Sequence, residues 1–251
     1  MSDIEKGGLS ATTPQQALGN NGVLPASYGQ AVRPSRIGNP GALGLFSFAS
    51  TTFMLSLFNL QTRGINAPNV VVGMAIFCGG LAQLLAGMWE FPRGNVFGGT
   101  AFTSYGAFWM SYATILIPAS GIGAAYDGNE GELASAIGIY LVAWTMVTFF
   151  LLVAALRKNW GFISLFAFLT VTFALLAAAE FAGSLRLVTS RSMQVIAKSD
   201  KMSSSSTQKA GGVFGTITAF IAYYVGLSEL LASEDMAVVR LPLGVFPKRV
   251  D

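Results

Sequence analysis

The chain has 251 residues, 53% of them hydrophobic and 11% charged, with a formal net charge of +3. A soluble domain carries about 25% charge, so this composition, with a mean hydropathy of +0.57, excludes an ordinary soluble fold. Histidine is absent and cysteine occurs once, at Cys78, which excludes Ser-His and Cys-His catalysis, His-ligated metals and an intrachain disulfide.

Residues 1–38 are polar, rich in Gly, Asn, Gln and Pro, and lack an apolar run. They read as a disordered cytoplasmic tail, not a signal peptide. Six charge-free stretches follow, at 37–62, 64–89, 94–126, 133–156, 159–179 and 210–228. A charge at the bilayer centre costs roughly 2.5–3.5 kcal/mol, and a span needs about 20 apolar residues. Trimmed to the clean apolar pattern, the spans are about 41–60, 68–89, 100–117, 133–156, 159–181 and 212–232. Pro68 can open the second, and Pro118 closes the third. FPRGNVFGG at 91–99 interrupts the helix between the second and third spans. The fold class is therefore an all-α membrane protein with six transmembrane helices. A six-helix transmembrane domain covers 39–232, with a long polar loop at 183–211 and a C-terminal tail at 233–251.

Loop charges orient the bundle. With both termini inside, nine basic residues, among them Arg93, Arg157, Lys158 and Arg240, lie on the inner side, while the outer loops 61–67 and 118–132 hold only Arg63. The basic 183–211 segment runs against this rule. The surplus of Lys and Arg is matched to lipid headgroups, not to nucleic acid. No metal or cofactor is expected.

Polar residues inside the spans point to a pathway. Ser50-Thr51-Thr52 and Thr103-Ser104-Tyr105 place hydroxyls on adjacent faces of one helix, and Gln83 lies in a charge-free stretch. A pore for a small polar solute needs such groups; hydroxyls tying helix to helix are the simpler account. At the break, Glu90 and Arg93 stand three apart. They either form an ion pair or flank a helix N-terminus that holds an anion.

Three segments resemble the acetate/succinate permeases, the acetate uptake transporters of bacteria and fungi. Asn39-Pro40-Gly41-Ala42-Leu43-Gly44-Leu45 is similar to the N-P-A-P-L-G-L signature of that family, with Gly41-Ala42 in place of Ala-Pro. Residues 79–109, GGLAQLLAGMWEFPRGNVFGGTAFTSYGAFW, resemble its second signature, with Val96 in place of Thr. LTVTFALLA at 169–177 resembles its fifth helix. The resemblance implies six helices around a pore in each protomer, a homo-hexamer, and transport of acetate, sometimes succinate or lactate. It also implies a narrowing formed by Phe48, Tyr105 and Leu169, with a small selectivity residue at Ala222. Within such a pore, Asn39, Thr51, Thr52, Asn95, Ser104 and Tyr105 would replace part of the substrate's water. Glu90 is the carboxylate near the core motif and the candidate for proton coupling. A plasma-membrane transporter, not an enzyme, is the expectation. The competing readings are a pore for a neutral solute such as ammonia or urea, and a membrane sensor or scaffold that transports nothing.

Overall fold

The computed structural model describes the backbone of residues 37–65, 67–190 and 196–247, and side chains over 37–65, 67–185 and 205–247. Most of the expected N-terminal tail, the segment 191–195 and residues 248–251 lie outside the described residues.

Six helices carry the chain: α1 (Gly41–Asn59), α2 (Val71–Glu90), α3 (Val96–Leu116), α4 (Glu130–Ala155), α5 (Trp160–Ser190) and α6 (Ile196–Ala232). At 1.5 Å per residue each is long enough to cross about 30 Å of hydrocarbon. Among the described residues, five of them are also apolar enough to cross; α3 is not one of these, because Thr, Ser, Tyr and Gly from the middle signature lie along it. No strand forms among the described residues beyond an isolated bridge between Asn159 and Val245.

Apolar side chains cover both the inside and the outside. Leu45, Phe48, Phe108, Phe166 and Phe173 are buried, while Phe77, Met146, Phe150 and Phe220 are exposed. A helix that is apolar all round suits lipid on one side and neighbours on the other. The most deeply buried side chains include the polar ones: Thr51, Gln83, Glu90, Thr148 and Thr218.

The helices close into a ring. α1 packs between α2 and α6, α5 between α4 and α6, and α2 against α3. The remaining seam, α3 to α4, is bridged by side chains: Tyr105 donates to Thr148 at 3.0 Å, and Phe108 meets Trp144 edge-on at 5.0 Å. Small residues set the closest approaches. A Cβ on Gly106 would stand 2.7 Å from the Leu84 backbone nitrogen and 2.8 Å from its Cα, and backbone cannot step aside. Gly106→Val should therefore cost at least the 1–3 kcal/mol or so of a typical overpacked core. The check is a lowered thermal midpoint of the detergent-solubilised protein, or loss of folded material.

Helix ends follow from local chemistry. Asn95, Asn129 and Asn159 cap α3, α4 and α5, accepting from the backbone N–H of Gly98, Glu132 and Phe162. The break after α2 turns on Gly94, whose φ of +81° is left-handed and free of strain only in glycine. Met74–Ala82 in α2 is π-helical, which offsets the register of the residues that follow.

Two expectations change. Most of 183–211, read as a loop from its charges and serines, is helical, because α5 continues to Ser190 and α6 begins at Ile196. Leu, Met, Ala, Arg, Lys and Gln in this segment are good helix formers, and a helix leaving the bilayer can carry charge. The C-terminal tail is also partly built in. The Trp160 and Gly161 N–H groups donate to Gly244 and Leu243, and Phe246 N–H donates to the Lys158 carbonyl at 3.2 Å. Tyr224 and Ser228 on α6 hold the Pro242 and Leu241 carbonyls at 2.8 and 2.9 Å. Residues 241–246 thus form a strap over the start of α5.

Candidate functional site

Two cavities lie within the ring and share one residue, Phe48. The first, about 440 Å³, opens where α1 and α3 begin and α6 ends. The second, about 230 Å³, lies beyond Phe48 among α1, α3, α4 and α5. Tyr105 lines the first and Leu169 the second. The Phe48 and Tyr105 rings are 5.4 Å apart, and all three side chains are buried.

Tyr105 is fixed in place. Its hydroxyl donates to Thr148, which donates on to the Trp144 carbonyl at 2.6 Å. Its ring stacks on Phe166 at 6.3 Å. A tyrosine bonded at its tip and stacked on its face keeps one rotamer.

The first cavity is ringed by a polar network centred on Asn39. Its amide donates to Glu229 at 2.9 Å, and its oxygen accepts from Gly41 N–H at 2.9 Å and from Arg93 at 2.7 Å. Arg93 also pairs with Glu90 at 2.8 Å, and Asn95 donates to the same carboxylate oxygen at 3.0 Å. Glu90 is only 1% exposed, and Arg93 and Asn95 satisfy its buried carboxyl group. Of the two readings of the break, the ion pair forms, and the first turn of α3 is capped by Asn95.

The candidate residues divide. Asn39, Glu90, Asn95 and Tyr105 line the first cavity, Thr52 and Leu169 the second, and Phe48 both. Thr51, Ser104 and Ala222 line neither. Thr51 bonds back to the Ser47 carbonyl at 3.0 Å, Ser104 is half-buried, and Ala222 is in the core. The Ser50-Thr51-Thr52 run thus has three fates. Ser50 accepts from Tyr223 across the α1–α6 contact at 2.9 Å, Thr51 closes on its own helix, and the Thr52 hydroxyl is buried with no partner among the described residues.

Other side chains in the cavities were not among the candidate site residues of the sequence reading. Gln83, 1% exposed, lines the first cavity with its Oε1 unpartnered among the described residues. Unsatisfied buried polar atoms are costly and uncommon; two of them stand on opposite sides of Phe48. Lys158, Asn159 and Glu229 also line the first cavity, and Glu180 the second. Gln83 carried a signal, a polar side chain in a charge-free helix. Glu229 carried none, being 190 residues from its partner Asn39.

The sequence profile of the GPR1/FUN34/yaaH family matches residues 22–248. The chain belongs to the GPR1/FUN34/yaaH family. Its relatives in this family include proteins named for transport. "Succinate-acetate/proton symporter SatP" of Escherichia coli (strain K12) is 33% identical over 211 residues, 84% of this chain and 97% of that protein. "Ammonia transport outward protein 2" of Saccharomyces cerevisiae is 40% identical over 226 residues, 90% of this chain and 71% of the relative. The solved structure described as that of the bacterial acetate channel SatP superposes with a TM-score of 0.67 at 33% identity, covering 83% of this chain and all of that one. As a family member with long apolar helices, the protein is an integral membrane protein of a transporter family, not an enzyme.

Proposed function

We propose that this protein moves acetate and similar small carboxylates across the membrane, each protomer conducting through its own ring of helices. The observation that carries this reading is the pair of cavities meeting at Phe48. A bare carboxylate cannot cross hydrocarbon. Here polar groups flank a short apolar collar, so dehydration is confined to Phe48, Tyr105 and Leu169. Asn39 and Asn95 position the first mouth, Gln83 and Thr52 meet the solute on either side of the collar, and Ala222 and Ser104 shape the helices behind it. Thr51 acts through packing against Gly79. Succinate and lactate are the larger substrates of the same path. Proton coupling is assigned to Glu90, acting within its pair with Arg93. The inner side is the one bearing Arg93 and Lys158, which puts both termini in the cytoplasm at the plasma membrane. Phe77, Leu81, Leu85 and Met88, exposed along α2, support packing between protomers in a homo-hexamer.

The yeast relative's name favours a second reading, a pore for ammonia. Labelled fluxes into proteoliposomes separate the two. Acetate should enter and compete with other carboxylates if carboxylate passes, and an acetate-impermeable membrane that passes methylamine would establish the neutral pore.

Gln83→Leu tests the polar lining. It preserves bulk and removes the amide, and should lower acetate flux about tenfold, one hydrogen bond to a charged group being worth about 1.5–3 kcal/mol. Unchanged flux in folded protein would remove Gln83 from the path.

A further inference from the structure

We propose that Lys158 is the residue that recruits the anion to the first cavity, held at its mouth by the C-terminal strap. This rests on the carboxylate reading above. Four charged side chains line that cavity: Glu90, Arg93, Lys158 and Glu229. Arg93 is committed to Glu90 and Asn39, and Glu229 to the Asn39 amide. Lys158 makes no ion pair among the described residues. Its Nζ instead sits 4.4 Å from the centroid of the Phe97 ring. A ring face attracts an ammonium without neutralising it, so the charge remains free to meet a carboxylate.

The position of that charge is built. Lys158 stands in the turn between α4 and α5, where its carbonyl accepts from Phe246 of the strap and the Trp160 and Phe246 rings meet at 5.6 Å. Phe97 packs edge-on against Phe162 and Phe166 at 5.8 and 5.7 Å, and Phe166 stacks on Tyr105. An aromatic column therefore leads from the ammonium to the collar.

Charge decides the consequence. With Lys158 the lining is neutral, two cations facing two carboxylates; without it one negative charge is left in excess, and an anion is repelled. In a cleft with low-dielectric walls, such a change alters local ion concentration tenfold or more, and salt screens it.

The test is labelled acetate uptake into proteoliposomes by the full chain, the Lys158→Gln variant and the Lys158→Arg variant, at about 10 mM and about 1 M ionic strength. At low salt the Gln variant should lose about tenfold in uptake at sub-saturating acetate, with the maximal rate kept. At high salt the gap should close to about twofold, and the Arg variant should match the wild type at both. Wild-type flux with an unchanged Gln variant overturns the role of Lys158 alone. An equal loss at both salt concentrations also overturns it, in favour of a structural role. An inactive wild type overturns the carboxylate reading and this proposal with it.

Discussion

Phe48→Ala should relax selection against larger carboxylates by about 10- to 200-fold, the discrimination that a methylene-sized difference in a fitted pocket supplies. Phe48 is the one residue lining both cavities, and its ring stands 5.4 Å from Tyr105. Truncating it joins spaces of about 440 and 230 Å³. Tyr105 should hold its place, because Thr148 and Phe166 fix it from the other side. The same change costs about 3–5 kcal/mol of packing, so Phe48→Leu is the milder companion, with a smaller effect of the same sign. The measurement is the ratio of lactate to acetate uptake. A ratio unchanged in both folded variants would show that solute does not pass Phe48.

Arg93→Met should destabilise the protein more than any other single polar change in the network. It leaves the Glu90 carboxylate, 1% exposed, with Asn95 as its one side-chain partner among the described residues, and frees the Asn39 oxygen from its second donor. Breaking a buried pair from one side costs about 3–5 kcal/mol. The Arg93 side chain is 25% exposed, which places the expected loss at the lower end. Glu90→Gln/Arg93→Met should recover most of it, because no unpaired charge is left buried, and the coupling should show in a double-mutant cycle. That double variant also reads the proposed proton coupling: uptake between about pH 5.5 and 7.5 should lose its pH dependence if Glu90 carries it. A single variant as stable as the wild type would contradict the account of the network.

The fold was legible because exclusion of charge is a strong signal. Six stretches without Lys, Arg, Asp or Glu became six helices, and the Gly94 break fell between the second and third. Residues 183–211 were misread because charge and serine argue against lipid, not against helix. The docking of 241–246 depends on backbone N–H and carbonyl pairing, to which side-chain pattern is blind. The π-helical stretch before Gln83 leaves no mark in apolar spacing, since Met74–Ala82 is itself apolar on all faces.

The site was legible where one segment holds both partners. Glu90, Arg93 and Asn95 are within five positions of each other and meet as their spacing implies. Hydroxyls were not, because Ser50, Thr51 and Thr52 are chemically alike in sequence and differ only in what each faces. Contacts such as Asn39 to Glu229 and Tyr105 to Thr148 join residues far apart in the chain, and a single sequence gives no register for the helices that carry them.

The most direct test is labelled acetate uptake by purified protein in proteoliposomes, with folding verified independently. Saturable uptake that scales with protein and is competed by other small carboxylates is the predicted result. Flux no greater than that of empty liposomes would contradict a carboxylate pathway through this ring of helices.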